Sequence, residues 1–244
     1  MPVYDGPSFN TEIKCLDELR QGLNWISNQG FIPNFMDGPQ SVGLTLKKAL
    51  NINSNKLQLR DGSHLKIKCS RKKSKSKITG FTKSPTWLSG WDSKRLLREF
   101  GYQNKKSSHS LMTEIGIKPN NQSLFLQFSD NCILLCNPSG PFAMYSFDTI
   151  QGCLNKLGNT VLVTVESKLI DEREYFHYDS ADLVKINHLY SMEEMKSQLA
   201  SRMITLEIRM YLKENGSVRD HGFAFRFSPA MVDGLYVRES IISS

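Results

Sequence analysis

Long apolar runs are missing from this 244-residue sequence. The longest, Cys132 to Cys136 and Val161 to Val165, fall far short of the roughly 20 residues that a bilayer-spanning helix needs. No leader-like pattern of basic then apolar residues precedes Asp5, so the expectation is a protein of the cytosol with no membrane partner. Cysteine is scarce as well. Five residues, an odd number without a C-x-x-C pair, argue against a disulfide framework and for reduced thiols. Cys132 and Cys136 close the two ends of one apolar run, no nearby His completes a zinc set, and they read as core. There is no glycine-rich phosphate loop and no G-x-S-x-G elbow, and the five His are scattered, which removes the P-loop and Ser-His-Asp readings. Linkers, repeats and low-complexity stretches are absent too, so a single domain over residues 1–244 is expected.

What is present is a soluble composition with surplus positive charge: 39% hydrophobic, 23% charged, net +7. A basic chain favours polyanionic partners, because Lys and Arg bind phosphates by displacing condensed counterions. The charge is concentrated in Arg71-Lys72-Lys73-Ser74-Lys75-Ser76-Lys77. Such a run is most often a solvated loop. Its position directly after Lys68 favours phosphate contact by Lys72 and Lys73.

Periodicity supplies the framework. Ile13, Leu16, Leu19, Leu23 and Ile26 recur at helical spacing before Gly30, and a second helix is expected from about Ser41 to Leu50. Strands are expected around Lys66 and at Ile78 to Lys83, followed by a helix capped by Asp92 or Ser93 that runs to Phe100. Leu111 to Lys118 and Ser123 to Phe128 flank Pro119-Asn120-Asn121, which reads as a hairpin, with another strand at Ile133 to Cys136. A helix opens at Ser146 and stops at Gly158. Thr160 to Val165 and Tyr175 to Tyr178 read as neighbouring strands, and Ser191 with Glu194 forms a capping box. Met203 to Leu212 and Phe223 to Phe227 surround the turn Glu214-Asn215-Gly216. The pattern predicts an α/β or α+β class, with a central mixed sheet flanked by helices.

Chemistry enters at Asp61-Gly62-Ser63-His64-Leu65-Lys66-Ile67-Lys68. Leu65, Ile67 and Cys69 alternate with His64, Lys66 and Lys68, so Lys66 and Lys68 share one face of a strand and Asp61 stands in the turn before it. An acid, a turn, and a strand ending in lysine is the layout of a nuclease metal site. In that layout Asp and Glu give Mg²⁺ its oxygen ligands and the last lysine orients the attacking water. Here the middle position is Lys66, and an ammonium has no lone pair to offer a cation. An ordinary solvated strand edge fits the same letters.

A second constellation lies in the last hairpin. Glu207 and Arg209 share a face of its first strand, while Arg219, Asp220 and His221 approach a second strand that carries Arg226. Arginine can donate two bonds to guanine O6 and N7, a carboxylate can accept from cytosine N4, and His can donate to guanine, so the set suits base reading. An exposed hairpin with surface ion pairs is the plain alternative. Glu166-Ser167-Lys168 also spells E-x-K, with Asp148 eighteen residues upstream.

Beyond these single motifs, longer segments carry a resemblance. Thr79-Gly80-Phe81-Thr82-Lys83-Ser84-Pro85-Thr86, Glu166-Ser167-Lys168, Tyr178-Asp179-Ser180-Ala181-Asp182-Leu183 and Asp220-His221-Gly222-Phe223-Ala224-Phe225-Arg226 resemble, in order and spacing, segments of the MvaI/BcnI restriction endonucleases. The resemblance runs from about residue 12 to the C-terminus. It implies a MutH-like restriction-endonuclease (PD-(D/E)xK) fold, a monomer acting on short G·C-rich duplex sites of the CC-x-GG kind, and Mg²⁺ for hydrolysis of the DNA backbone. It also divides the domain into a metal-site half, about 1–150, and a DNA-recognition half, about 151–244. By position, Asp61 matches the family's metal-binding aspartate and Lys68 its catalytic lysine, whereas Lys66 stands at its metal-binding glutamate. A further family glutamate falls at Lys47, in Gly43-Leu44-Thr45-Leu46-Lys47. Arg209, His221 and Arg226 fall where the family reads bases, with Glu207 and Arg219 as substitutes of similar chemistry. Asp220, within the same segment, and Lys83 join the candidate DNA contacts, and Glu166 is expected to be structural.

Three readings follow from these residues. The first is a sequence-specific DNA-binding protein with a degraded metal site and impaired cleavage. The second is a working Mg²⁺-dependent endonuclease in which Asp37 or Glu99 substitutes for the missing acid. The third is a non-catalytic subunit partnered by a nuclease or a DNA methyltransferase.

Overall fold

A computed structural model describes residues 4–53, 57–72, 74, 76–104, 107–156, 160–185 and 191–228. The described chain runs α1 (Leu16–Asn28), β1 (Ile32–Pro33), α2 (Ser41–Ala49), β2 (Leu57–Gln58), β3 (His64–Arg71), β4 (Ile78–Thr82), β5 (Thr86–Trp87) and α3 (Ser93–Phe100). It continues through β6 (Tyr102–Asn104), β7 (Ser107–Ile115), β8 (Phe125–Phe128), β9 (Cys132–Asn137), β10 (Gly140–Ser146) and α4 (Phe147–Asn155). Last come β11 (Thr160–Ile170), β12 (Arg173–Lys185), α5 (Met192–Ala200), β13 (Ile204–Leu212) and β14 (Val218–Phe227). The class is mixed α+β, as the periodicity predicts. Among the described residues the strands form three sheets, one of them mixed.

Contacts group the chain into two compact units. The first is drawn from Met1–Lys75 and Gly158–His188, the second from Ser76–Leu157 and Leu189–Val232. In the first, the sheet order is β1-β12-β11-β3-β2, and β3 and β11 are parallel while the remaining pairs are antiparallel. The apolar stripe foreseen in α1 is buried at Leu19, Leu23 and Ile26 against Val161, Val163, Val165, Phe176 and Tyr178 of the sheet. Val42, Leu46 and Ala49 of α2 join the same core. Leu65 is buried there, with Ile67 and Cys69 packed beside it, so the alternation read from the sequence sets the faces of β3. Lys66 and Lys68 therefore face away from this core.

The second unit holds two antiparallel sheets, β5-β10-β9-β8 and β4-β14-β13-β7-β6. The Pro119-Asn120-Asn121 signal does not make a hairpin: β7 pairs with β13 and β6, and β8 pairs with β9. Asn120 explains the difference. Its Oδ1 accepts from the backbone N–H of Gln122 and Leu124 and its Nδ2 donates to Thr113 Oγ1 and the Glu114 carbonyl, which satisfies a loop that carries the chain from one sheet to the next. The last hairpin forms as its turn predicts, Gly216 supplying a φ of 75°. Phe223, Phe225 and Phe227 all point to the core face of β14. The ring of Phe227 lies so close over Gly80 that a Cβ there would meet it at 1.6 Å.

Candidate metal site and nucleic-acid interface

Asp61 lies at the exposed tip of the β2–β3 connection, closed by a hydrogen bond from the Leu59 N–H to the Ser63 carbonyl. Gly62 takes a φ of 79° there, which glycine adopts without strain. The Asp61 Oδ1 accepts from the Ser63 N–H at 2.9 Å. Hydrogen bonds from the Ser63 side chain, and secondarily its backbone, hold the carboxyl below the usual aspartate range. The residue is thus engaged in shaping its own turn.

On β3, Lys66 and Lys68 are half-buried on a common face, in register with Thr160 and Leu162 of β11. Lys47 is placed differently. It belongs to α2, which packs on the Leu65, Ile67 and Cys69 side of β3. There burial pushes the Cys69 thiol up to about 12 while the Lys47 ammonium pulls it down. The structure therefore brings Lys66 and Lys68 together on one face of β3, and Lys47 reaches the sheet from α2.

This donor set does not suit Mg²⁺. A hard cation requires several oxygen ligands, and among the four positions matched to the metal site only Asp61 carries a carboxylate. Among the described residues, no group of three or more His, Cys, Asp and Glu side chains is arranged to hold a metal ion. Of the two acids that could substitute, Asp37 accepts from Asn34 Nδ2 at 2.9 Å within the first unit, and Glu99 accepts from Arg95 Nε at 2.7 Å within the second. Glu166 is exposed and pairs with Lys72 at 3.6 Å, and Lys168 lies over the Phe31 ring at 4.0 Å.

The basic run is less free than its letters suggest. Arg71 forms a two-pronged pair with Glu174, Nε to Oε1 at 2.7 Å and Nη2 to Oε2 at 2.6 Å, and also donates to Ser41 Oγ. Lys77 donates to Glu114 and, at 2.9 Å, to Thr205 Oγ1. Lys73 lies outside the described residues.

The terminal hairpin gathers its candidates on one face. Ile204, Leu206, Ile208 and Met210 are buried in the core, so Thr205, Glu207, Arg209 and Tyr211 take the other side. Cross-strand partners complete the face: Arg226 opposite Thr205, Arg219 opposite Tyr211, Thr79 opposite Arg226, Glu114 opposite Glu207 and Met112 opposite Arg209. Glu207 is the centre. Its Oε2 lies 3.4 Å from Arg209 Nε and 3.5 Å from Arg226 Nε, beyond good hydrogen-bond geometry, so both Nε atoms are buried without a hydrogen-bond partner. Arg226 is steadied at its other end by Thr79 Oγ1, 2.6 Å away, and by the Lys77 carbonyl.

Two further features shape this face. Asp220 Oδ1 accepts from the Gly222 N–H at 2.7 Å, and Gly222 has a φ of 87° at the irregularity between Phe223 and Asp220. That bulge re-aims His221, whose ring sits 5.7 Å from that of Tyr211. Lys83 is exposed, and its backbone ties β4 to the neighbouring strands through the Phe223 carbonyl and the Tyr145 hydroxyl. Sequence reading missed Thr79, Lys77, Glu114, Thr205, Tyr211 and Met112 as members of this face, because strand register alone makes them neighbours.

The family model for the MvaI/BcnI restriction endonuclease family matches residues 20–236. The chain belongs to the MvaI/BcnI restriction endonuclease family. Among solved structures, the chain is similar to the restriction endonuclease MvaI in complex with its cognate DNA substrate: TM-score 0.71, 20% identity, 93% of this chain and 98% of that one covered. It is also similar to MvaI in the absence of DNA, at TM-score 0.50 and 18% identity, with 94% and 98% covered. At these identities the likeness establishes the fold. No curated protein matches the chain. Among the described residues, no helix is long and apolar enough to cross a membrane.

Proposed function

We propose that this MvaI/BcnI-family chain is a sequence-specific binder of duplex DNA at short G·C-rich sites of the CC-x-GG kind, with its cleavage impaired by Lys47 and Lys66. The observation that carries the reading is Glu207 set between Arg209 and Arg226 on one sheet face, with both guanidinium Nε atoms lacking hydrogen bonds. The cluster holds its charges loosely on a face that a ligand can reach, the Arg209 side chain being 39% exposed, and acceptors supplied by a ligand improve on those long contacts. The more exposed Arg209 can take guanine O6 and N7, Arg226 can do so with the N–H groups that Thr79 and the Lys77 carbonyl leave over, and Glu207 can accept from cytosine N4. Arg219, Asp220 and His221 extend the same contact, and Lys72, Lys73 and Lys83 supply phosphate charge.

Impaired cleavage rests on the donor set. With Asp61 alone contributing a carboxylate and ammonium groups at Lys47 and Lys66, the side chains at these positions are unsuited to Mg²⁺, while Lys66 and Lys68 are chemically suited to a backbone phosphate. The protein is proposed to act as a monomer on DNA in the cytosol, one domain with a metal-site half and a recognition half, beside a cognate DNA methyltransferase or nuclease.

The test is a gel shift on CC-x-GG duplexes across a salt series, with plasmid incubated in Mg²⁺ or Mn²⁺ alongside. Preferential binding that weakens with salt and is lost in Arg209→Ala or Arg226→Ala is the expected result. Sequence-blind binding would count against base reading, and a regular fragment pattern from plasmid would defeat the claim of impaired cleavage.

A further inference from the structure

Strand β7 alternates as a half-buried strand should, with Leu111 and Ile115 fully buried, yet position 112 on its other face is occupied by methionine. Met112 is 47% exposed and stands directly opposite Arg209. It contributes nothing to the core beneath. The charged groups around it are already matched, Arg209 with Glu207 and Glu114 with Lys77, so Met112 is an apolar island within a polar face. Tyr102, 39% exposed on the adjoining β6, places its hydroxyl 3.5 Å from the Met112 carbonyl and widens that island.

We infer that Met112 is a specificity-determining residue whose thioether side chain receives the C5 methyl group of a pyrimidine in the duplex read by Arg209. The inference rests on the base-reading proposal above and names one feature of its target. In the major groove the hydrogen-bonding edges of guanine stand beside the C5 positions of neighbouring pyrimidines, and thymine presents its methyl group there. An arginine aimed at guanine N7 and O6 thus needs an apolar neighbour where the adjacent pair carries a methyl. Methionine suits that place because its unbranched, polarisable chain adapts its shape to the surface it meets. A lysine or glutamate at 112 would complete the usual outward polar pattern of the strand but offer the methyl nothing.

The experiment uses CC-T-GG duplexes in which the central thymine is replaced by uracil, which deletes one methyl, and duplexes in which each cytosine in turn is replaced by 5-methylcytosine, which adds one. Dissociation constants are measured for the wild type, Met112→Gln, Met112→Leu and Arg226→Ala. At one pyrimidine the wild type binds the methylated member of the pair about fourfold more tightly, the worth of one buried methyl group. Met112→Gln abolishes that ratio, and Met112→Leu keeps it. A ratio retained in Met112→Gln, or a wild type indifferent to methyl groups at every position while still preferring CC-x-GG, overturns this inference and leaves base reading standing. A wild type without preference for CC-x-GG overturns both, and that outcome is separately visible.

Discussion

Replacing Glu207 by alanine tests the organisation of the hairpin face most directly. At an effective dielectric of about 20, opposite charges 3.4 Å apart attract by about 5 kcal/mol, and the contact to Arg226 at 3.5 Å is of similar size. These do not add up to a net stability. The two guanidinium groups repel each other, and desolvation opposes both attractions. Arg209, with its side chain 39% exposed, falls toward surface-pair behaviour, below about 1 kcal/mol. Arg226 and Glu207 are 19% and 23% exposed, and removing one partner of such a buried pair costs about 3–5 kcal/mol. Because Thr79 and the Lys77 carbonyl still hold Arg226, the low end applies, about 3 kcal/mol for Glu207→Ala.

Urea unfolding followed by tryptophan fluorescence reads that loss where it occurs. Trp87 packs on Phe142 and Phe223, and Trp91 on Phe100 and Phe142, all within the second unit. Trp25 of the first unit packs on Phe9 and is removed as Trp25→Phe. With a slope of about 1–3 kcal/mol per molar urea, the midpoint falls by about 1–3 M. A cycle with Arg226→Ala is decisive: Glu207→Ala and Arg226→Ala together should cost about 2 kcal/mol less than their sum. Additivity within about 0.5 kcal/mol would show that Glu207 and Arg226 do not act as a pair and would refute the electrostatic account.

Lys47→Glu with Lys66→Glu should raise Mn²⁺-dependent plasmid cleavage from background to a regular fragment pattern, read on a gel; continued absence of fragments in the folded double variant would show that those lysines are not what limits cleavage. Acid stability should depend on Asp5, whose carboxyl is held low chiefly by hydrogen bonds from Arg173. A depressed folded-state pKa means that this contribution is present above the ordinary aspartate value of about 3.9 and is lost as the pH falls through the lower folded value; the melting temperature of Asp5→Asn should therefore fall less steeply than that of the wild type below pH 4. Gly222→Ala combines a φ of 87° with a Cβ 2.5 Å from Thr82 Cγ2 and should lower stability by about 1–3 kcal/mol in urea titration. A loss under about 0.5 kcal/mol would mean that the bulge relaxes freely.

Local chemistry made much of the fold legible. Helical spacing and caps placed α1, α3 and α5, and the capping box at Ser191 forms with both of its bonds present. Period-two alternation set the faces of β3 and of the last hairpin. What depends on distant pairing was hidden: no strand was expected between Cys136 and Ser146, yet β10 pairs on both sides, with β5 and β9. Asn120 sends β7 and β8 to different sheets. The candidate sites divide in the same way. Residues that share a strand, such as Lys66 with Lys68 or Glu207 with Arg209, were visible as pairs. Met112 reaches Arg209, and Thr79 reaches Arg226, only through register. Lys47 meets β3 only through the packing of α2, which no strand pattern shows. The glycines of the quoted segments also gain a reason, Gly80 making room for Phe227 and Gly222 turning the bulge that presents His221.

The proposed asymmetry between reading and cutting follows from how the two chemistries fail. A base-reading face tolerates replacement by residues of like charge, because each contact contributes only about 1–3 kcal/mol of discrimination and the others remain. A divalent site does not. At a dielectric of about 20, an ammonium roughly 6 Å from Mg²⁺ opposes it by about 5 kcal/mol, before the lost carboxylate attraction is counted. Deprotonating such a lysine would not rescue the site, since a neutral amine is a poor ligand for a cation that prefers oxygen. Toward DNA the same substitution has the opposite sign, since an ammonium where a carboxylate stood turns repulsion of the backbone phosphate into attraction. On this account each lysine that removes turnover also strengthens retention, and reverting Lys66 to Glu should weaken metal-free DNA binding and reduce its salt slope.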